Sequence, residues 1–72
     1  MFKEKRYVYT FKILLRNTKS FKILYQSNLE YTDEAIDEIF SKEILYANIN
    51  NKFNRYKPIA IKVFEIVSIE VM

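Results

Sequence analysis

The segment that decides the predicted fold is RYVYTFKILLRNTKSFKILYQ, residues 6–26. From Arg6 to Arg16 apolar and polar side chains alternate, and Phe21 to Gln26 repeats the pattern. The odd-numbered face of the first stretch carries Tyr7, Tyr9, Phe11, Ile13 and Leu15. A period of two predicts half-buried β-strands, at about residues 6–16 and 21–27. The polar residues 17–20 between them predict a turn, so this segment predicts a β-hairpin.

The faces of the two strands restrict the length of that turn. Directly opposed residues of an antiparallel pair share a face, so odd-numbered residues oppose odd-numbered ones. A loop of three residues (18–20) or of five (16–20) satisfies this condition. The chain contains no glycine, so we expect Asn17 or a neighbour to take any left-handed backbone position.

A helix is predicted at about residues 33–48. Thr32 is a suitable N-cap, and Asp33 and Glu34 follow in the first turn, where the helix dipole favours negative charge. An apolar stripe then recurs at helical spacing, formed by Ile36, Ile39, Phe40, Ile44 and Ala47. This stripe predicts one buried helix face.

Residues 59–71 are rich in β-branched side chains and predict a final strand. Glu65 interrupts its apolar odd-numbered face, which predicts a bulge or bend near residues 64–66. The order β-β-α-β then predicts an α+β fold in which a three-stranded antiparallel-type sheet, of order 2-1-3, has one helix packed on one face. We expect residues 1–72 to form a single small domain.

The composition argues against catalysis. The chain has no histidine, cysteine or glycine, so it lacks the commonest general base, thiol ligands and phosphate-binding loops. The remaining candidates are carboxylates at i,i+4 spacing on the predicted helix, which we interpret as a solvated helix face. We therefore expect no enzyme activity, no cofactor and no metal. No apolar run reaches membrane-spanning length, and basic residues interrupt any secretory signal, so we expect a cytoplasmic protein.

Charge is unevenly distributed along the chain. Residues 1–25 hold seven Lys or Arg against one Glu, a balance of +6. Residues 26–50 hold six acidic residues against one Lys, a balance of −5. Residues 51–72 hold four basic against two acidic residues, so the total is +3. The predicted molecule is therefore polarised.

The uncovered face of the predicted sheet, together with the hairpin, is the main candidate binding surface. Its residues are Arg6, Lys12, Leu14, Arg16, Lys19, Lys22, Leu24, Lys62, Phe64 and Ile66. An apolar patch rimmed by lysines is typical of a protein interface. The long last strand, at a sheet edge, or the open face itself also suggests a homodimer.

Two further surfaces are alternatives. An acidic surface of Glu30, Asp33, Glu34, Asp37 and Glu38 could occupy a basic groove. A basic loop containing Lys52, Arg55 and Lys57 could join the hairpin in binding nucleic acid.

In style the chain is similar to small phage or mobile-element proteins, among them anti-CRISPR and other anti-defence proteins. We therefore expect a small protein-binding module, such as a phage-encoded inhibitor of a host complex that acts in the host cytoplasm. A nucleic-acid-binding protein that uses the basic hairpin is the alternative.

Overall fold

The computed structural model describes residues 5–50 and 56–72. The chain forms β1 (Tyr7–Leu15), β2 (Ser20–Ser27), α1 (Thr32–Phe40), β3 (Ile44–Asn50), β4 (Tyr56–Lys62) and β5 (Ile66–Val71), with a 3₁₀ turn (Val63–Glu65) between β4 and β5. The five strands make one sheet of order β4-β3-β2-β1-β5, in which all neighbours are antiparallel. The predicted three-stranded sheet of order 2-1-3 is therefore wrong.

The hairpin of β1 and β2 has the predicted pairing of odd with odd residues. Ile13 opposes Phe21, and the Leu15 amide donates to the Lys19 carbonyl at 2.9 Å. The loop therefore holds three residues, 16–18, two positions earlier than the predicted three-residue loop. Thr18, the neighbour of Asn17, has the left-handed conformation, with φ of 69°.

The predicted helix of residues 33–48 is too long, because α1 ends at Phe40 and residues 44–50 form β3. Ile44 and Ala47 fit the helical stripe, but the stretch from residue 44 also alternates. Leu45 and Ala47 are buried, whereas Ile44 and Tyr46 are exposed. The β-branched and Asn residues here disfavour a helix, and burial of the alternate residues against the sheet favours the strand.

The predicted last strand is split by the 3₁₀ turn at the place where Glu65 predicts a break. Its two halves lie on opposite edges of the sheet, because β4 pairs with β3 and β5 pairs with β1. Four residue steps, from Lys62 to Ile66, span at most about 14 Å. The outer strands of a flat five-stranded sheet would lie about 19 Å apart. The sheet is therefore curled where the chain crosses from one edge to the other.

One hydrophobic core lies between α1 and the concave side of the sheet. It consists of Phe11, Ile13, Ile23, Tyr25, Ala35, Ile39, Leu45, Ala47 and Ile66. The pairing of β1 with β5 shifts between Leu14, which opposes Ser68, and Leu15, which opposes Ile66. This bulge turns Ile66 into the core and leaves Val67 exposed. The prediction of Ile66 on the open face of the sheet is therefore wrong.

Candidate functional site

The side of the sheet that points away from the core is called the outer face here. It carries Val8, Thr10, Lys12, Leu14, Lys22, Leu24, Gln26, Ile44, Tyr46, Asn48, Tyr56, Pro58, Ala60, Lys62, Ser68 and Glu70. Five of the ten predicted binding residues lie on it, namely Lys12, Leu14, Lys22, Leu24 and Lys62. Tyr46 and Tyr56 are 69% and 64% exposed. No segment among residues 5–50 and 56–72 therefore covers the centre of this face.

The two outer-face tyrosines are functional candidates that the sequence analysis missed. The sequence pattern predicts Tyr46 inside the helix and Tyr56 in a loop, whereas both lie on strands. Tyr46 opposes Ala60 and Tyr56 opposes Asn50, so the two tyrosines are four residues apart along the β3–β4 ladder. That separation is about 13 Å at the usual rise per residue. Each tyrosine can therefore contact a different part of a bound molecule.

Two adjoining shallow depressions lie between the tyrosines, with volumes of about 230 and 290 Å³. They share Leu24, Gln26 and Asn48 as lining residues; Tyr46 lines one depression and Tyr56 lines the other. Sites that enclose a drug-sized ligand usually measure about 300–1,000 Å³. Both depressions fall just below that range and are open to solvent rather than enclosed, which favours part of an extended ligand over an enclosed metabolite.

Lys12 and Lys22 lie directly opposite one another on the outer face. The bond between the Leu15 amide and the Lys19 carbonyl assigns the hydrogen-bonded pairs of this hairpin to odd residues. Even pairs are then of the closer, non-hydrogen-bonded kind, with Cα atoms about 4.5 Å apart. Like charges in this position destabilise a sheet. Among residues 5–50 and 56–72, Glu70, which opposes Lys12 from β5, is the acidic residue of the outer face, against the lysines at positions 12, 22 and 62.

Most members of the predicted acidic surface lie on the helix side of the sheet. Asp33, Glu34 and Asp37 are exposed on α1, and Glu30 is exposed just before it. The sheet separates these four carboxylates from the outer-face lysines. The described part of the molecule therefore has a negative helix side and a positive outer face, and a polyanion meets the least repulsion at the outer face.

Glu38, the fifth residue of the predicted acidic surface, turns inward. Its Oε1 atom accepts hydrogen bonds from the Tyr25 hydroxyl and, at 3.1 Å, from the Ser27 hydroxyl. Ser27 Oγ accepts the Leu29 amide at 3.0 Å. Burial, and then the hydrogen bond to Glu38, raise the pKa of Tyr25 above its ordinary value. This network fastens α1 to β2 and has a structural role.

A second tyrosine, the partly buried Tyr9, fixes the chain between β2 and α1. The Tyr9 hydroxyl donates to the Leu29 carbonyl at 2.6 Å, and its ring stacks on Phe11 with centroids 5.6 Å apart. Burial raises the pKa of Tyr9, followed by the nearby Tyr7, Glu30 and Glu34. Tyr9 and Tyr25 therefore keep their protons near neutral pH and serve as hydrogen-bond donors.

Arg16 and Phe64 are brought together at the end of the hairpin. The Arg16 backbone amide donates to the Glu65 carbonyl at 2.8 Å, and Arg16 Nε donates to the Phe64 carbonyl at 2.7 Å. The guanidinium carbon lies 4.6 Å from the centroid of the Phe64 ring, within the range of a cation–π contact. These two predicted binding residues therefore hold the 3₁₀ turn against the hairpin.

The remaining predicted residues are scattered. Arg6 is exposed ahead of β1, beside a polar depression that Glu38 and Lys42 also line. Lys19 is exposed in the hairpin and Lys57 is exposed on β4. Lys52 and Arg55 lie outside the described residues.

Two kinds of feature are absent from residues 5–50 and 56–72. These residues contain no group of three or more Asp, Glu, His or Cys side chains placed to hold a metal ion. They also contain no helix with the length and apolar character needed to cross a membrane.

Comparison with known proteins gives no relatives. Neither a family model, a curated protein nor a solved structure matches the chain significantly.

Proposed function

We propose that this chain is a non-catalytic binding protein whose outer face binds single-stranded nucleic acid. The observation that carries the proposal is the presence of two exposed tyrosines, Tyr46 and Tyr56, on the lysine-bearing side of the sheet. Proteins that bind single strands combine aromatic platforms for the bases with a positive surface for the backbone. Both features lie on the outer face, and most of the acidic residues lie on the opposite side.

The placement of the tyrosines supports single strands over duplexes. A base can stack on an aromatic ring only when its face is free, and bases in a duplex are stacked on one another. The backbone positions of the two tyrosines lie about 13 Å apart along the ladder, so their side chains are placed to hold two bases that are not stacked on one another. The shallow depressions beside them accommodate parts of an extended chain.

The opposed lysines support an anionic ligand. Lys12 and Lys22 oppose one another as like charges, an arrangement that is unfavourable in the free protein, and a phosphate placed between them removes the repulsion. Lysine is depleted at protein–protein interfaces relative to the rest of the surface. This pair therefore favours nucleic acid over a protein as the ligand of the outer face.

A protein partner is the second candidate, because the exposed aliphatic side chains of Val8 and Ile44 lie on the same face as the tyrosines. Tyrosines are also frequent in protein interfaces. Under this candidate the chain would be the inhibitor-like module that the sequence analysis predicts. Action in the cytoplasm is part of both proposals.

The test is fluorescence anisotropy with labelled oligo(dT), oligo(U) and a duplex, each of about 12 nucleotides per strand. We assume one phosphate contact for each of the three outer-face lysines. A plot of log affinity against log salt concentration should then have a slope of about −2 for single strands. We expect tighter binding of the single strands than of the duplex at about 50 mM salt.

Three tyrosine variants locate the binding surface. We expect Tyr46→Ala and Tyr56→Ala each to weaken binding about 5- to 150-fold, which corresponds to the loss of one stacked base. The matched control is Tyr31→Ala, because Tyr31 is equally exposed, at 62%, but stands at the start of α1. Absence of binding at about 50 mM salt, or an equal loss in all three variants, would refute the proposal.

A further inference from the structure

The unpaired edge of strand β5 is a second candidate binding surface. The Met72 amide donates to the Thr10 carbonyl at 3.1 Å, so the even residues of β5 bond to β1 and the alternate residues point their backbone groups outward. These outward residues are Ile69 and Val71. Within residues 5–50 and 56–72, no strand pairs with this edge. The edge therefore offers a row of free donors and acceptors.

The opposite edge of the same sheet is protected. The Val63 amide donates to the Glu43 carbonyl at 2.9 Å, so the odd residues of β4 bond to β3 and the even residues face outward. Pro58 stands at one of these outward positions and has no amide hydrogen to donate. Lys57 and Lys62 add charge to the same strand. Proline and lysine are the usual protection of an edge strand against pairing with another chain.

The edge strand β5 lacks proline and lysine, and its bulge lies at the Ile66 end, so the part of the edge from Ile69 to Val71 is without these protections. Its sequence, IVSIEV, contains no proline, lysine or arginine. Val67 and Val71 are 55% and 60% exposed, and Glu70 is the single charged residue of the strand. The two edges of the sheet therefore differ, and the β5 edge is the one that lacks proline and lysine.

We propose that β5 pairs antiparallel with β5 of a second copy, around a two-fold axis at Ile69. In this register Ser68 lies opposite Glu70 of the second copy, which allows a hydroxyl–carboxylate hydrogen bond in both directions. If the two-fold axis lay at Glu70 instead, Glu70 would lie opposite Glu70 of the second copy, and like charges there are unfavourable. A shift of the axis in the opposite direction leaves Val71 unpaired. The strand is therefore self-complementary in one register.

The dimer would have a direct effect on the binding surface. A two-fold axis between antiparallel strands runs perpendicular to the sheet, so the two outer faces point to the same side. The ten strands would form one continuous sheet that carries two copies of Tyr46 and Tyr56. This consequence rests on the proposed function, whereas the dimer itself does not.

The test is sedimentation equilibrium from about 10 µM to about 1 mM, combined with amide hydrogen exchange by NMR over the same range. In this register five strand residues of each copy, 67–71, are paired, and so short a pairing buries little surface, so we expect a weak dimer. The amides of Ile69 and Val71 should become protected as the protein dimerises. The matched controls are the outward amides of Ala60 and Lys62 on β4, whose exchange should not depend on concentration.

Two proline variants separate the edges. Val71→Pro removes an outward donor and leaves the bond from the Met72 amide to Thr10 in place, so we expect a folded monomer. Ala60→Pro makes the same change at an outward position of β4 and should leave the dimer intact. Circular dichroism checks the fold of both, and the exchange data on the unchanged protein apply even when a variant fails to fold.

A monomer mass up to about 1 mM, or protection at Ala60 and Lys62 instead of Ile69 and Val71, would overturn the dimer. None of these measurements uses nucleic acid. Failure of the dimer is therefore distinguishable from failure of the proposed function.

Discussion

Replacement of Lys22 by glutamate should affect stability and binding in opposite directions. Lys22 directly opposes Lys12 in a close cross-strand pair, so Lys22→Glu converts a repulsive contact into an attractive one. Cross-strand charge pairs contribute about 0.2–1 kcal/mol, so the change in sign should raise the free energy of unfolding by about 1 kcal/mol. For a domain of this size that raises Tm by about 4–8 °C. The gain should shrink at high salt, because both side chains are exposed.

The same substitution should weaken the binding of single strands. Loss of one phosphate contact lowers the salt slope by about 0.7. Over the range from about 1 M to about 50 mM salt, a slope of about 0.7 is worth about eightfold in affinity, so we expect binding about eightfold weaker at about 50 mM salt. Thermal unfolding followed by circular dichroism measures the first effect, and anisotropy with oligo(dT) measures the second. Lys19→Glu is the matched control, because it changes the net charge equally and Lys19 opposes Leu15, which is uncharged.

The two measurements test separate steps of the reasoning. Equal changes of Tm in the two variants would show that the opposed lysines do not repel each other in the free protein. Unchanged affinity in Lys22→Glu would show that the nucleic acid does not contact this part of the outer face. We expect Lys22→Glu to have higher stability and lower affinity. The repulsion between Lys12 and Lys22 destabilises the free protein, and the same two lysines bind the phosphate in the complex.

Three further predictions concern the fold. Thr18→Gly should stabilise the protein by about 1 kcal/mol in urea denaturation, because Thr18 is β-branched and has a φ of 69°; a loss of stability would contradict this. Glu38→Ala should destabilise it by about 2–3 kcal/mol in the same assay, since the hydroxyls of Tyr25 and Ser27 lose their acceptor, and a change below about 0.5 kcal/mol would rule out the network as a fastener of α1. Tyr25→Phe should flatten the fall in stability above pH 10, because the raised pKa of Tyr25 keeps its proton in the folded state while the unfolded chain loses its proton at the ordinary value of 10.0. Stability from Tyr25 is therefore complete below pH 10 and is lost as the pH rises toward the folded pKa, and identical pH profiles from pH 9 to 11 would contradict the assignment.

The parts of the fold that depend on local pattern could be predicted from the sequence. The hairpin follows from a period of two over residues 6–26, and the parity of its pairing follows from the two apolar faces. The break at Glu65 was visible as one charge on an apolar face. The positions of Lys12, Lys22 and Leu24 on the outer face follow from the same alternation, since they depend only on which side of a strand is buried.

The errors arise where two patterns fit the same residues. Ile44 and Ala47 continue the helical stripe of α1 and also fit the alternation of β3, and only packing against β2 and β4 selects the strand. Because of this error Tyr46 was assigned to the helix and not to the outer face of the sheet. The sequence also could not show that β4 and β5 lie on opposite edges, since strand order depends on partners that are distant along the chain.

The basic and acidic segments of the sequence form different sides of the folded chain. The basic first third forms β1 and β2, whereas most acidic residues of the middle third lie on α1 and the turns beside it. Because α1 packs on the concave side of the sheet, the negative charge is carried away from the face that holds Lys12, Lys22 and the tyrosines. β3 belongs to the acidic third of the sequence, yet it contributes Tyr46, Asn48 and no charge to the outer face. The chain can therefore place an aromatic platform beside the lysines without adding carboxylates there, which is the arrangement that a polyanionic single strand requires.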